Sequence, residues 1–162
     1  MSDKKVIKNS KVLLAIKKLL SESGVEYKMF EHEPVWTSEE ASKIRGTPFD
    51  SGAKALVLYV DDVPSLFVLP GSLKADFNKI KKLFMAENVR LATPVEVEDL
   101  TGLVIGSIPP FGSVMGLHSY FDSKLLEHEV VAFNIGAHTA SVIMKPESLM
   151  VIEKPKILDF SI

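Results

Sequence analysis

Cysteine is absent from this chain, and that removes a disulfide framework, a thiolate nucleophile and any Cys-based metal site. The same absence fits a reducing, cytoplasmic setting. Long apolar runs are missing as well: no stretch approaches the roughly 18 uninterrupted apolar residues of a membrane span. Met1-Ser2-Asp3-Lys4-Lys5 leads into an amphipathic segment, without the apolar core of a signal peptide. A cytoplasmic protein with no membrane partner is expected. Histidine is scarce, and His32, His118, His128 and His138 fall at no metal-ligand spacing such as His-Glu-x-x-His. Neither Gly-x-x-x-x-Gly-Lys nor Gly-x-Gly-x-x-Gly occurs, and Gly112-Ser113-Val114-Met115-Gly116 has its serine in the wrong place for a nucleophile elbow. An enzyme built from this chain is therefore expected to work without metal, cofactor or covalent thiol. A basic excess is lacking too. Lys and Arg total 19 against 21 Asp and Glu, a net charge of −2. Broad phosphate binding, and DNA binding with it, is not expected, and any RNA contact must be local or confined to the end of a molecule.

What remains is an ordinary globular composition, 46% hydrophobic over 162 residues, which suits one domain spanning 1–162 with a proper core. Ser10 is the expected N-cap of a first helix, with Val12, Ile16, Leu19 and Leu20 as its apolar stripe and Gly24 as its stop. Residues 25–30 read as a strand. Thr37-Ser38-Glu39-Glu40 forms a capping box that opens a short helix ending near Gly46. Two apolar strands, 53–60 and 65–69, flank Asp61-Asp62 as a hairpin. Phe77, Ile80, Leu83 and Phe84 give the next helix its buried face, while Lys74, Asn78, Lys81 and Lys82 share its solvated face. A short strand at 89–92 precedes a second capping box at Thr93 and Glu96, with Pro94 at N1. Beyond Gly102, strands are expected at 103–105, 114–117, 120–122, 130–134 and 141–144, and a helical turn from Lys145. Helices dominate early and strands late, without βαβ alternation. The expected class is α+β, with a bent mixed sheet flanked by helices.

Three places carry chemical interest. In 53–60, period-2 alternation places Lys54 on the same face as Leu56, Leu58 and Val60, and both faces of this strand are apolar. An ammonium there needs water, an anion or a ligand, although its stem can equally carry the charge outward from the strand's start. The segment Gly106-Ser107-Ile108-Pro109-Pro110-Phe111-Gly112 is stiffened by two prolines. It can aim N–H groups at one point, as an oxyanion site requires, or serve as a tight surface turn. Asn134-Ile135-Gly136-Ala137-His138-Thr139 reads either as a polar-ligand loop or as an ordinary hairpin connection.

These features occur together, in this order, in a known family. Phe30-Glu31-His32-Glu33-Pro34, Thr37-Ser38-Glu39-Glu40-Ala41, Ala53-Lys54-Ala55-Leu56-Val57-Leu58, Leu69-Pro70-Gly71, Arg90-Leu91-Ala92-Thr93-Pro94, Thr101-Gly102, the Gly106–Gly112 loop, Asp122 and Phe133-Asn134-Ile135-Gly136 form an ordered set. With these, the chain resembles the YbaK/ProX aminoacyl-tRNA deacylases, which include the editing domain inserted in bacterial prolyl-tRNA synthetases. The resemblance implies a single α+β domain with a partly open barrel and a freestanding hydrolase of mischarged aminoacyl-tRNA. The implied substrate is a proline tRNA carrying a wrong small amino acid. It implies Lys54 and Gly106 as catalytic positions. His32, Thr37, Ser107, Ile108, Pro109, Pro110, Phe111, Gly112, Gly136, Ala137 and His138 would be substrate-binding, and Asp122 orienting or structural. Its partners would be the aminoacyl-tRNA acceptor end and an aminoacyl-tRNA synthetase. The alternative is a non-catalytic module that binds tRNA ends or nucleotides beside a synthetase.

Overall fold

The computed structural model describes residues 10–136 and 138–162. Helix α1 (Ser10–Ser23) buries Val12, Ile16 and Leu20 at four-residue spacing and ends at Gly24, whose φ of +76° is readily adopted only by glycine. The Ser10 side chain, expected as the N-cap, lies outside what is described. After β1 (Tyr27–Glu31), the Thr37 capping box opens α2 (Ser38–Arg45): Glu40 N–H donates to Thr37 Oγ1 at 3.1 Å, and Thr37 N–H donates to Glu40 Oε1 at 3.1 Å. A 3-10 turn (Phe49–Ser51) leads into β2 (Ala53–Val60) and β3 (Val63–Pro70). These two pair in full antiparallel register, from Ala53 opposite Pro70 to Val60 opposite Val63. Asp61 and Asp62 both take positive φ, 46° and 70°, as a two-residue hairpin turn of the twisted kind requires.

Helix α3 (Phe77–Phe84) is capped by the Asp76 carboxylate, which accepts from Asn78 and Lys79 N–H. Then come β4 (Val89–Leu91) and α4 (Pro94–Thr101), the latter under the Thr93–Glu96 capping box. The four-residue α5 (Gly112–Met115), β5 (Ser119–Asp122) and a 3-10 stretch (Ser123–Glu127) follow. Strands β6 (Val131–Asn134) and β7 (Ala140–Met144), helix α6 (Pro146–Glu153) and β8 (Lys156–Leu158) complete the described elements.

The strands form two sheets. Five line up as β4-β2-β3-β5-β8, antiparallel through β3 and parallel from β3 to β8; three line up antiparallel as β1-β7-β6. A bridge from Gly52 to Ala132 links them. The fold is the expected mixed α+β architecture, and its sheets do not close into a barrel. Hairpin β2–β3 is covered on both faces. Val57, Leu66 and Val68 join the larger core with Ile16, Phe111, Phe121 and Phe133, while Leu58, Phe67 and Leu69 meet Ile80 and Phe160 on the other side. Each such fully buried side chain contributes roughly 1.5–3 kcal/mol. Among the described residues no helix is long and apolar enough to cross a membrane.

Several sequence expectations are corrected. Residues 103–105 form no strand; Leu103 is buried, and the chain turns so that Val104 O accepts Ser107 N–H. Residues 114–117, expected as a strand, belong partly to α5, since a short apolar run has no periodicity to separate the two. Leu83 is 46% exposed rather than buried on α3. Lys74 precedes the Asp76 cap, so it is not on that helix; its backbone instead exchanges two hydrogen bonds with Ile162.

Candidate functional site

A cavity of about 210 Å³ opens where the two sheets approach each other. Its wall comes from four parts of the chain. Val35, Trp36, Thr37, Ala41 and Arg45 belong to α2 and the segment entering it; Gly52 to Leu56 are the start of β2 and the residue before it. Ile105, Gly106 and Ile108 come from the proline-bearing loop, and Asn134 ends β6. Lys54 and Gly106, the two expected catalytic positions, thus line one space. Lys54 is half-buried, and its Nζ donates to the Gly71 carbonyl at a long 3.4 Å. Burial pushes its pKa down, and the charge of Lys74 adds to that effect. Among the described residues no carboxylate pairs with it.

The second cation of the cavity, Arg45, was not among the expected site residues. Its place in the last turn of α2 reads in sequence as a basic side chain complementing a helix terminus. In the structure the guanidinium turns inward. Its Nε donates to Ser141 Oγ at 2.9 Å and its Nη2 to Asn134 Oδ1 at 3.2 Å, with Nη1 3.5 Å from Ala132 O. Burial lowers its pKa to about 10. Asn134 in turn donates from Nδ2 to Gly106 O at 2.9 Å. His32 continues the chain on the other side. Its Nδ1 lies 2.7 Å from Glu33 O and must carry a proton there, while Nε2 lies 2.7 Å from Ser141 Oγ. His32, Ser141, Arg45, Asn134 and Gly106 are therefore one connected polar relay. His32 and Ser141 stand behind the cavity wall rather than in it. Sequence reasoning missed Arg45 and Ser141; Asn134 stood in it only as part of a connection that could hold a polar ligand, a polar residue at the end of an apolar strand.

The proline-bearing loop is not a surface turn. Gly106 is exposed, and Ser107, Ile108, Pro109, Pro110, Phe111 and Gly112 are all buried. Ser107 spends its N–H and hydroxyl on Val104 O, at 3.1 and 2.6 Å, and its carbonyl accepts Gly136 N–H at 3.0 Å. Phe111 packs edge-on against Phe133, with centroids 5.6 Å apart. Gly112 N–H donates to Ser119 Oγ, and a Cβ at Gly112 would collide with that oxygen and with Leu117 O. Gly106 and Ile108 therefore face the cavity, and the rest of the loop is stiff backing. Gly106 needs its missing side chain twice over. Its φ is +89°, and a Cβ would come within 3.2 Å of His138 Nε2.

Gly136 points toward Val12 and Leu103, in the core, and Ala137 lies outside the described residues. His138 is buried, with no hydrogen-bond partner for either ring nitrogen among the described residues. Burial lowers its pKa, and the nearby Ile105 carbonyl opposes this in part, short of hydrogen-bonding geometry. The ring stacks on Trp36 at 4.1 Å between centroids. Thr37 lines the cavity, with its hydroxyl engaged in capping α2. Asp122 is fully buried and accepts from Phe160 N–H, Ser161 N–H, Ser161 Oγ–H and Lys124 N–H. It fastens the C-terminal segment and does not line the cavity. Among the described residues no group of three or more His, Asp or Glu side chains is placed to hold a metal ion.

Known proteins resemble this chain in sequence and in fold. Residues 32–152 match the aminoacyl-tRNA editing domain. The chain is 36% identical over 147 residues to the multifunctional Ser/Thr-tRNA deacylase ProXp-y of Escherichia coli (strain K12), covering 88% of each. It is 31% identical over 113 residues to the proline–tRNA ligase of Nitratidesulfovibrio vulgaris (strain Hildenborough), covering 70% of this chain and 19% of the ligase. A crystal structure reported as a candidate trans-editing enzyme for prolyl tRNA synthetase superposes with a TM-score of 0.82. The two are 28% identical, and the match covers 95% of this chain and 99% of that one. By sequence and fold alike, this chain belongs to the aminoacyl-tRNA editing domain family.

Proposed function

We propose that this protein acts in trans on the acceptor end of mischarged tRNA and hydrolyses the ester that joins a wrong, small amino acid to the terminal ribose. The observation that carries this reading is the meeting of Lys54 and Gly106 in one small cavity with no carboxylate ion-paired to the lysine among the described residues. An aminoacyl ester is already activated, so the protein has chiefly to orient it and to stabilise negative charge on the carbonyl oxygen. Water adds to the carbonyl carbon and the ester C–O bond breaks. The ribose oxygen leaves with a proton, giving free amino acid and intact tRNA. The free hydroxyl next to the ester positions the water. Lys54 holds the ester carbonyl or the terminal adenosine by charge and hydrogen bond, and the Gly106 backbone borders the aminoacyl group.

The finer substrate assignment is a proline tRNA carrying a small amino acid. The size of the cavity supports a small side chain, and the Escherichia coli relative is a Ser/Thr-tRNA deacylase. Likeness to a segment of proline–tRNA ligases supports proline tRNA and a synthetase partner. A deacylation panel of seryl-, threonyl-, alanyl- and prolyl-tRNAs tests the reading with wild type and Lys54→Ala. Wild type is expected to clear at least one mischarged tRNA well above the buffer rate, and Lys54→Ala to lose at least about a hundredfold of that rate, as removal of one oxyanion-stabilising donor does. Hydrolysis of no ester by wild type would overturn it.

A further inference from the structure

The cavity is too small for all that such a substrate carries. Its volume of about 210 Å³ falls below the roughly 300–1,000 Å³ of pockets that enclose drug-sized ligands, and an aminoacyl-adenosine is of that size. With the aminoacyl ester inside, the base must lie outside. Two large apolar side chains line the cavity and also stand open to solvent: Trp36, 52% exposed, and Ile105, 39% exposed. The indole is backed by the His138 ring, inclined at 34° to it, while about half of the residue meets solvent. Its backbone is fixed on both sides. Val35 N–H donates to His138 O at 3.1 Å, and Trp36 N–H donates to Glu40 Oε1 at 3.2 Å. The surface is therefore presented from a rigid support, with little ordering left to do on binding.

We infer that Trp36 is a stacking platform for the terminal purine base of the acceptor end, at the mouth of the cavity. The inference rests on the deacylase reading and adds a nucleobase subsite to it. A flat aromatic ring, backed by another ring and half open to solvent, matches a planar base, and base–aromatic stacking is sequence-tolerant. It gives an acidic protein a grip on RNA that needs no field of lysines. With Lys54 and Arg45 inside and the indole outside, the ligand class is a nucleoside 3′-aminoacyl ester, read by its base and its ester at once.

Trp36 is the single tryptophan of the chain, so its fluorescence reports on this place alone. The protein is titrated with 3′-serylamido-3′-deoxyadenosine and with the same serylamide on a sugar lacking the base. The base-bearing compound is expected to quench Trp36 saturably and to bind tighter than its base-less counterpart, by about fivefold to about a hundredfold. By calorimetry, Trp36→Ala should erase that difference and Trp36→Phe restore most of it. In deacylation, Trp36→Ala should raise KM by about tenfold with kcat little changed, as loss of uniform binding does. Equal affinity for the two compounds in a wild type that does hydrolyse mischarged tRNA overturns the platform alone. Absence of hydrolysis by wild type overturns the deacylase reading, and the fluorescence titration still decides whether a base stacks here.

Discussion

Replacing Arg45 with methionine separates stability from activity in a way the structure quantifies. The guanidinium makes two hydrogen bonds of ordinary length and one long contact. Hydrogen bonds of a charged donor contribute about 1.5–3 kcal/mol each, so roughly 3–6 kcal/mol is lost with them. Against this stands the cost of holding the cation out of water. A pKa lowered to about 10 by burial corresponds to roughly 3 kcal/mol against the charged form, and methionine removes that cost. The net change is a destabilisation of about 0–3 kcal/mol, or at most about 12 °C in Tm for a chain of this size. Activity should fall much further. Arg45 holds Asn134, and Asn134 fixes the Gly106 carbonyl at the cavity wall; misplacement of a reacting group by about 1 Å costs on the order of a hundredfold. The assay is thermal unfolding beside single-turnover deacylation of the mischarged tRNA that wild type clears. The expected result is a kcat/KM about a hundredfold lower with a modest Tm change. Because the two residues act through one relay, Arg45→Met combined with Asn134→Leu should cost little more than either alone. A kcat/KM within threefold of wild type, or effects of the two substitutions that simply multiply, would refute the relay.

Two other outcomes follow from buried polar groups outside that relay. Asp122→Ala strips three buried donors and one half-buried donor of their acceptor and should destabilise by several kcal/mol, at about 1–3 kcal/mol for each buried donor left unsatisfied. Denaturant unfolding measures this, and kcat/KM per folded molecule should stay unchanged, whereas a selective loss of activity would give Asp122 a role in orienting substrate. His138 has its pKa lowered by burial, so the unfolded chain binds its proton more readily than the folded one. Its share of stability is complete above the unfolded value of about 6.5 and is lost progressively as pH falls through that value toward the lower folded one. The difference in unfolding free energy between wild type and His138→Phe, followed from pH 8 to 5, should therefore shift against wild type on acidification. A pH-independent difference would mean that the ring titrates normally.

The fold was legible where local chemistry and tertiary packing agree. Both capping boxes, the Asp61-Asp62 turn and the two-sided burial of β2 follow from residue type and spacing, and each is present in the structure. Between Leu103 and Leu117 the reading failed in part. Short apolar runs there lack enough residues to express a period, and burial of Leu103 and Phe111 is set by contacts from distant strands. β8 went unseen because Lys156–Leu158 alternates too briefly, and its strand character comes from pairing with β5. Leu83 illustrates the converse: a helix of eight residues offers four apolar positions, and the layer beneath it fully buries only Ile80.

The site divides along the same line. Lys54 announces itself because an ammonium conflicts with the apolar face on which alternation puts it. Arg45 does not, because the last turn of a helix is where an arginine costs nothing to explain. Its inward turn depends on acceptors nearly ninety residues or more away, at Ala132, Asn134 and Ser141, and no local pattern encodes those. The two cations nevertheless share one physical condition: each is partly stripped of water, and neither has a carboxylate ion-paired to it among the described residues. A carboxylate beside Lys54 would raise stability and blunt the positive potential that a developing oxyanion requires. Neutral acceptors around Arg45 leave its charge available to the cavity while fixing its geometry. The seam between the two sheets suits such an arrangement, since Asn134 and Ser141 on paired strands offer uncharged side-chain oxygens there that hold a guanidinium without neutralising it.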